Sequence, residues 1–288
     1  MGTFFNEVGD ALMSYLDLLL NVVGLLILIN WRSLSFVRLP GALSLASAVK
    51  PAEKKRQGPW PLLSILPALL VLRGVFYWQF GPSLNWTPQL NFGVLIISFH
   101  CESFWRMMLF SLLSFGLALA VFQFWLLLLA FLNRNPHEQD PHHRLVLLHL
   151  GWLGRLPGLA QFVSPMLVTT LAWPLFYWMF TRLGLMPPAH GAWHVLQQAM
   201  VVGIAACLAW KYFVAGLLLL YFLNSYIYFG PAPFWNFIAL TGHNLLTPLR
   251  WLRLGRVDLA PVAGMVIVIG LGEWLGREMP KLYQRLPF

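Results

Sequence analysis

Long runs of hydrophobic residues recur along the chain and are separated by shorter polar segments. A transmembrane α-helix needs about 20 mainly apolar residues, because the hydrocarbon core of a bilayer is about 30 Å thick. Six runs approach or exceed this length, which predicts six membrane-spanning helices. Their expected limits are residues 11–30, 61–79, 107–132, 163–182, 198–224 and 259–276.

The composition agrees with this pattern. Of the 288 residues, 59% are hydrophobic and only 10% are charged, whereas a soluble domain has about 25% charged residues. This balance excludes a soluble enzyme, a disordered chain and a nucleic-acid-binding domain. We therefore predict an all-α, polytopic transmembrane protein with no nucleic-acid partner and no soluble substrate.

The basic residues are distributed unevenly between the loops. Most of the 19 Lys and Arg residues lie in the long loops 31–60, 133–162 and 225–258, whereas the short loops 81–92 and 183–196 contain none. Loops rich in Lys and Arg stay on the cytoplasmic side of a membrane. The long loops are therefore expected in the cytoplasm and both termini outside, with the inner membrane of a bacterium as the expected location.

With this topology the chain consists of three successive helical hairpins, expected as segments 1–104, 105–196 and 197–288. The last two are the most alike. In each, the first helix ends in Phe-Leu-Asn, at 131–133 and 222–224, and an amphipathic segment follows. This repetition predicts that repeated hairpins carry interfacial amphipathic segments in their cytoplasmic loops.

The return helices of these two hairpins have a common expected start. A small residue precedes a proline at 164–165 and at 260–261. Proline is tolerated in the first helical turn, because the N–H it lacks has no partner there. Ser164 and Asp258 are expected to cap the exposed N–H groups of these two helices.

The second amphipathic segment, residues 244–255, is a candidate docking surface. Leucines recur at 246, 249 and 252 beside Arg250 and Arg253, which predicts a short helix in the membrane interface that is basic on its water side. Asp258 is expected to pair with one of these arginines. A plain connection with interfacial anchors is the alternative. The candidate residues for docking a partner or anionic headgroups are Leu246, Pro248, Leu249, Arg250, Trp251, Arg253, Arg256 and Asp258.

The order of residues here also matches a known pattern. Two leucines, a proline, a leucine and an arginine occupy 245, 246 and 248–250, and Asp-Leu-Ala-Pro occupies 258–261. The segment 234–268 thereby resembles the YggT family, called YlmG in chloroplasts and Gram-positive bacteria. The resemblance implies a divergent, extended member of that family. Its members are associated with assembly of membrane complexes, cytochrome maturation in plastids, cell division or nucleoid organisation, and osmotic tolerance.

Ionisable residues inside the apolar runs are costly, at about 2.5–3.5 kcal/mol for a charge at the bilayer centre. Lys211 lies in the middle of the fifth run. We expect it to pair with an acid such as Asp17 or Glu273, or to lie at a break in the helix. An element of an ion or proton pathway is the alternative. Arg73 is expected to reach from the second span to the interface.

The sequence contains only weak candidates for catalytic or metal-binding groups. Five ionisable residues crowd one loop, but Pro141 interrupts them and they do not form the His-Glu-x-x-His pattern of a zinc-binding helix, so a solvated loop is favoured. These residues are His137, Glu138, Asp140, His142 and His143. Only His100 lies in a mainly apolar stretch, whereas a membrane haem needs two histidines. We predict neither metal nor cofactor, and no enzymatic activity.

These observations favour a non-catalytic scaffold or accessory subunit of a larger membrane complex, in contact with lipids and other integral membrane subunits. The 14 Trp and 22 Phe residues provide large surfaces for such contacts. One alternative is a small-solute or ion transporter or channel, which would have a polar cavity at mid-depth. Another is an assembly factor that binds a membrane complex only transiently.

Overall fold

The computed structural model describes residues 2–36, 60–134, 141–189, 191–227, 229–230, 232–254 and 257–286. It confirms the predicted fold class, a helical transmembrane protein. Six helices of the described chain are long and apolar enough to cross a membrane. They are Gly9–Ser33, Leu63–Phe80, Phe104–Leu132, Gly158–Arg182, Ala192–Tyr226 and Ala260–Gln284.

The secondary structure is almost entirely helical. The α-helices are α1 Gly2–Phe36, α2 Trp60–Phe80, α3 Phe104–Leu132, α4 Pro141–Leu150, α5 Gly158–Arg182, α6 Ala192–Ala205, α7 Lys211–Tyr226, α8 Pro233–Leu245 and α9 Ala260–Gln284. Two short strands, β1 Gln89–Asn91 and β2 Ile96–Ser98, pair between α2 and α3. Another two, β3 Arg253–Leu254 and β4 Val257–Asp258, pair before α9.

The long helices carry large hydrophobic side chains on their outward faces. On α5, for example, Leu167, Leu171 and Leu175 are all exposed. Such continuous apolar surfaces are unfavourable in water, and they match the hydrocarbon environment of a lipid bilayer. The apolar runs therefore form membrane spans and not the core of a soluble protein.

Helix α6 and helix α7 form one span with an internal change of geometry. A 3₁₀ segment, Ala206–Trp210, separates them. Two indole groups bond across it to backbone carbonyls: Trp125 Nε1 donates to Ala209 O at 2.7 Å, and Trp210 Nε1 donates to Phe124 O at 3.0 Å. The predicted break in the helix beside Lys211 is therefore confirmed.

By internal contacts the chain divides into two compact units. Unit 1 comprises residues 1–90 and 98–119, and unit 2 comprises residues 91–97 and 120–288. In unit 1, α1 packs against α2. In unit 2, α5 packs against α6, and α7 packs against α8 and α9. The division into three hairpins stays a prediction.

The order of elements repeats within the chain. Helix α3 is followed by α4, the 3₁₀ segment Gly151–Arg155 and α5, and α7 is followed by α8, the 3₁₀ segment Thr247–Leu252 and α9. The asparagine of the first Phe-Leu-Asn motif anchors α8, because Asn133 Nδ2 donates to Thr241 Oγ1 at 2.8 Å and Asn244 Nδ2 donates to Asn133 Oδ1 at 3.2 Å.

The two return helices begin differently. Helix α9 begins at Ala260 with proline in its first turn, as predicted, and its N-cap position is Leu259. The Asp258 side chain lies outside the described residues, so its capping role stays a prediction. Helix α5 begins at Gly158, which places Ser164 inside it, where its hydroxyl donates to Gln161 O at 3.0 Å. The predicted start at Ser164 is wrong, because a membrane helix accommodates an internal proline.

Candidate functional sites: polar groups within the membrane spans

A buried ion pair joins α1 and α2 in unit 1. Arg73 Nη2 lies 2.5 Å from Asp17 Oδ1, and the Arg73 side chain is only 1% exposed. The expectation that Arg73 reaches the interface is therefore wrong. Moving the guanidinium to the interface would remove the partner of Asp17, and an unpaired charge inside the membrane is costly.

The Asp17 carboxylate accepts four hydrogen bonds. Oδ1 accepts from Arg73 Nη2 and from Tyr77 OH, the latter at 2.9 Å. Oδ2 accepts from Asn21 Nδ2 at 3.2 Å and from Ser114 Oγ at 2.8 Å. Arg73 Nη1 also donates to Asn21 Oδ1 at 2.7 Å. We call these five residues the Asp17 network; it ties α1, α2 and α3 together.

A cavity of about 280 Å³ lies on one side of the Asp17 network. Its walls combine hydroxyl, carboxylate and amide groups with two aromatic rings. They are formed by Ser14, Asp17, Leu18, Asn21, Trp86, Gln89 and Phe110. The Asp17 side chain remains 16% exposed. Among the residues that line the cavity, Asp17 carries the one charged group.

The second ion pair joins α7 and α9 in unit 2. Lys211 Nζ donates to Glu273 Oε1 at 2.7 Å, which confirms the predicted pairing of Lys211 with Glu273. The ammonium also lies 4.3 Å from the centre of the Tyr212 ring. The Lys211 side chain is 12% exposed, but that of Glu273 is 49% exposed. The lysine is therefore covered while the acid faces outward.

Gly272 makes room for the Lys211 side chain. A Cβ atom added at Gly272 would lie 2.2 Å from Lys211 Cδ and 2.6 Å from Lys211 Cγ, closer than any normal contact. Glycine is therefore required for α9 to approach the aliphatic stem of this lysine. The glycine directly before Glu273 is part of how the chain positions the ion pair.

The candidate docking segment has a geometry that differs from the prediction. Residues Thr247–Leu252 form a 3₁₀ helix, not an α-helix. With three residues per turn, the leucine spacing still defines one face. The two described leucine side chains pack inside unit 2: Leu246 is 3% exposed and, like Leu249, contacts the core formed by α3, α7 and α9. Leu246 is therefore not available to a partner, while Pro248 is exposed.

The backbone places Arg253 and Asp258 opposite each other. They are paired positions in the β3–β4 ladder. Arg256 and the side chains of Arg250, Trp251, Arg253 and Asp258 lie outside the described residues. The basic docking surface therefore stays a prediction.

The histidine-rich loop is described only in part. His137, Glu138 and Asp140 lie outside the described residues, whereas His142 and His143 lie in the first turn of α4. Where the structure describes the chain, no group of three or more His, Cys, Asp or Glu residues could hold a metal ion. The prediction of no metal and no catalytic centre stays a prediction.

The spacing of polar residues in α1 and α2 is a sequence signal for the Asp17 network. Asp17 and Asn21 are four residues apart in α1, and Arg73 and Tyr77 are four residues apart in α2. Residues with this spacing lie on the same helix face. Two polar faces in consecutive spans of a hairpin are expected to meet, since each would otherwise contact lipid.

No protein-family model, no curated protein and no solved structure matches the chain. The YggT resemblance therefore rests on the motifs at 245–250 and 258–261 alone.

Proposed function

We propose that the chain is a non-catalytic scaffold or accessory subunit of a larger complex in the inner membrane of a bacterium. The Asp17 network carries this proposal. All four hydrogen bonds that Asp17 accepts come from side chains of its own bundle. A carboxylate with four internal donors fixes helices in place, and a transported solute would have to compete with every one of them.

The outward-facing aromatic residues support the same role. Several tryptophan side chains are exposed on the described surface. They are Trp78, Trp105, Trp152, Trp178, Trp193 and Trp274. Indole rings provide large rigid contact areas with a polar N–H, which suits both membrane interfaces and contacts with other subunits.

A transporter or channel is the second candidate, and the cavity beside Asp17 favours it. Ionisable residues that face a cavity within a membrane span commonly mark the path of a solute or proton. Arg73 Nε has no hydrogen-bond partner in the described part of the chain, so this network is not completely satisfied. A bound water or solute would supply the missing acceptor.

Neutralising the Asp17–Arg73 pair separates the two candidates. The double variant Asp17→Asn/Arg73→Gln keeps polar groups at both positions and removes both charges. We would test whether it replaces the wild-type gene in supporting growth, and we would measure native complex size by blue native electrophoresis. A scaffold is expected to retain both. A folded, abundant variant that keeps its complex but does not support growth would favour transport.

A matched control is available on α9. Glu278 and Lys281 form an exposed ion pair at 2.7 Å. The double variant Glu278→Gln/Lys281→Gln makes the same change in charge outside the network. It is expected to behave as wild type in both assays. A defect of the first variant can then be attributed to the loss of the Asp17–Arg73 pair and not to the loss of two charges as such.

A further inference from the structure

We infer that the outward face around Glu273 is a contact surface for a second copy of this chain. This face comprises Tyr212 and Gly216 of α7 and Gly270, Glu273 and Gly276 of α9. The inference is independent of the scaffold role, since a homodimer can form whether or not the chain serves a larger complex.

The first observation is an exposed carboxylate in the middle of a span. Glu273 lies near the centre of the candidate span Ala260–Gln284, and its side chain is 49% exposed. Intramembrane charges almost always face a bundle interior or a water-filled cavity, because lipid cannot solvate them. The outward orientation of Glu273 therefore indicates that another protein surface covers it.

The second observation is unused hydrogen-bonding capacity. Within the described residues, Glu273 accepts one hydrogen bond, from Lys211 to Oε1. An ionised carboxylate has about four acceptor sites, and Asp17 uses all of them in its own network. Glu273 thus carries the same charge as Asp17 but has room for donors from outside the chain.

The third observation is an open groove on both sides of Glu273. Gly270 and Gly276 lie three residues before and after it on the same helix face. A Cβ added at either position meets nothing within 4 Å, and the same is true of Gly216 on α7. Small residues at outward positions allow close backbone approach of a second transmembrane helix.

Self-complementarity identifies the occupant as a second copy. The Tyr212 ring and the Glu273 carboxylate both contact the Lys211 ammonium, so an exposed hydroxyl donor and an exposed acceptor belong to the same small patch. A two-fold axis along the membrane normal brings residues of equal depth together. Each copy then donates from Tyr212, which is 69% exposed, to Glu273 of the other copy and accepts in return.

The test is dimerisation of the full-length chain in phosphatidylcholine–phosphatidylglycerol vesicles, measured by energy transfer between donor- and acceptor-labelled pools over a lipid dilution series. Tyr212→Phe removes only the hydroxyl, and Gly276→Leu fills the groove. Both keep the Lys211–Glu273 pair and are expected to fold. Interhelical hydrogen bonds are individually weak, so loss of two per dimer is expected to weaken dimerisation about five- to tenfold for Tyr212→Phe.

Tyr226→Phe is the matched control, because Tyr226 is an exposed tyrosine at the far end of α7. It should dimerise as wild type. A wild-type chain that stays monomeric at the lowest dilution overturns the inference, and so does equal dimerisation of wild type, Tyr212→Phe and Gly276→Leu. If instead a synthetic polyleucine helix with one central asparagine binds the monomer and Gly276→Leu abolishes that binding, the face serves a different protein, and the second-copy assignment is wrong.

Discussion

Replacing Arg73 by methionine is expected to destabilise the protein strongly. The substitution keeps an unbranched apolar stem but removes the guanidinium from a site that is 1% exposed. Asp17 loses its counter-charge, and Asn21 Oδ1 loses its donor. Removing one partner of a buried ion pair typically costs about 3–5 kcal/mol, since the remaining charge is left uncompensated. We therefore expect the free energy of unfolding to fall by an amount in this range.

The stability lost in Arg73→Met is expected to depend on the charge of Asp17, which is left without a partner. A double-mutant cycle tests this dependence. Asp17→Asn alone should also destabilise, because it leaves Arg73 unpaired. The double variant Asp17→Asn/Arg73→Met should lose less than the two single losses added together, with a coupling of about 1–3 kcal/mol. Unfolding would be followed by tryptophan fluorescence in mixed micelles at increasing sodium dodecyl sulfate. Lys281→Met, at the exposed pair on α9, serves as the control and should change little.

An Arg73→Met variant that loses less than about 1 kcal/mol would refute this reasoning. So would strict additivity of the two single variants, because independent effects would mean that the pair does not hold α1 to α2. Either result would also mean that the Asp17 network, which carries the proposed scaffold role, does not hold these helices together.

Three further predictions concern other parts of the chain. Gly272→Ala should lower the thermal unfolding temperature, because the added methyl group displaces the Lys211 stem; differential scanning fluorimetry measures it, and an unchanged temperature would contradict the close contact. Reversing Arg250 and Arg253 to Glu should weaken binding of the purified chain to phosphatidylglycerol vesicles, most at low salt, where charges are least screened; unchanged co-sedimentation at low salt would contradict the docking surface. Burial raises the pKa of the Cys101 thiol to about 11. Maleimide labelling of Cys101, in a variant with no other cysteine, should therefore be slow at pH 7 and accelerate up to pH 10 as the thiolate fraction grows. Rapid labelling at pH 7 would contradict this prediction.

Local sequence features predicted the spans because hydrophobic length and composition are properties of each segment. The pairing of Lys211 was also predictable, since Glu273 is an acid within another predicted span and few other acids are available. The predicted position of Arg73 was wrong because the sequence of α2 alone does not show what its side chain meets. Its burial is determined by Asp17, which is far away in sequence and meets it only when α1 and α2 pack.

The docking segment shows a different limit of sequence analysis. Leucines spaced three residues apart fit both an α-helix and a 3₁₀ helix, and the spacing alone does not distinguish them. Nor does it show which surface the leucines cover. Leu246 faces the interior because Gly264 of α9 lets it approach closely: a Cβ at that position would lie 3.2 Å from a Leu246 methyl group. That contact depends on tertiary packing.

The most direct test of the proposed function is native mass spectrometry of the chain, extracted at its natural expression level into lipid nanodiscs. A scaffold or accessory subunit predicts a particle of fixed stoichiometry whose mass is not a multiple of the 32.8 kDa chain, because another subunit contributes to it. Species at 32.8 kDa and its multiples alone would contradict the scaffold role, although they would leave the homodimer face intact.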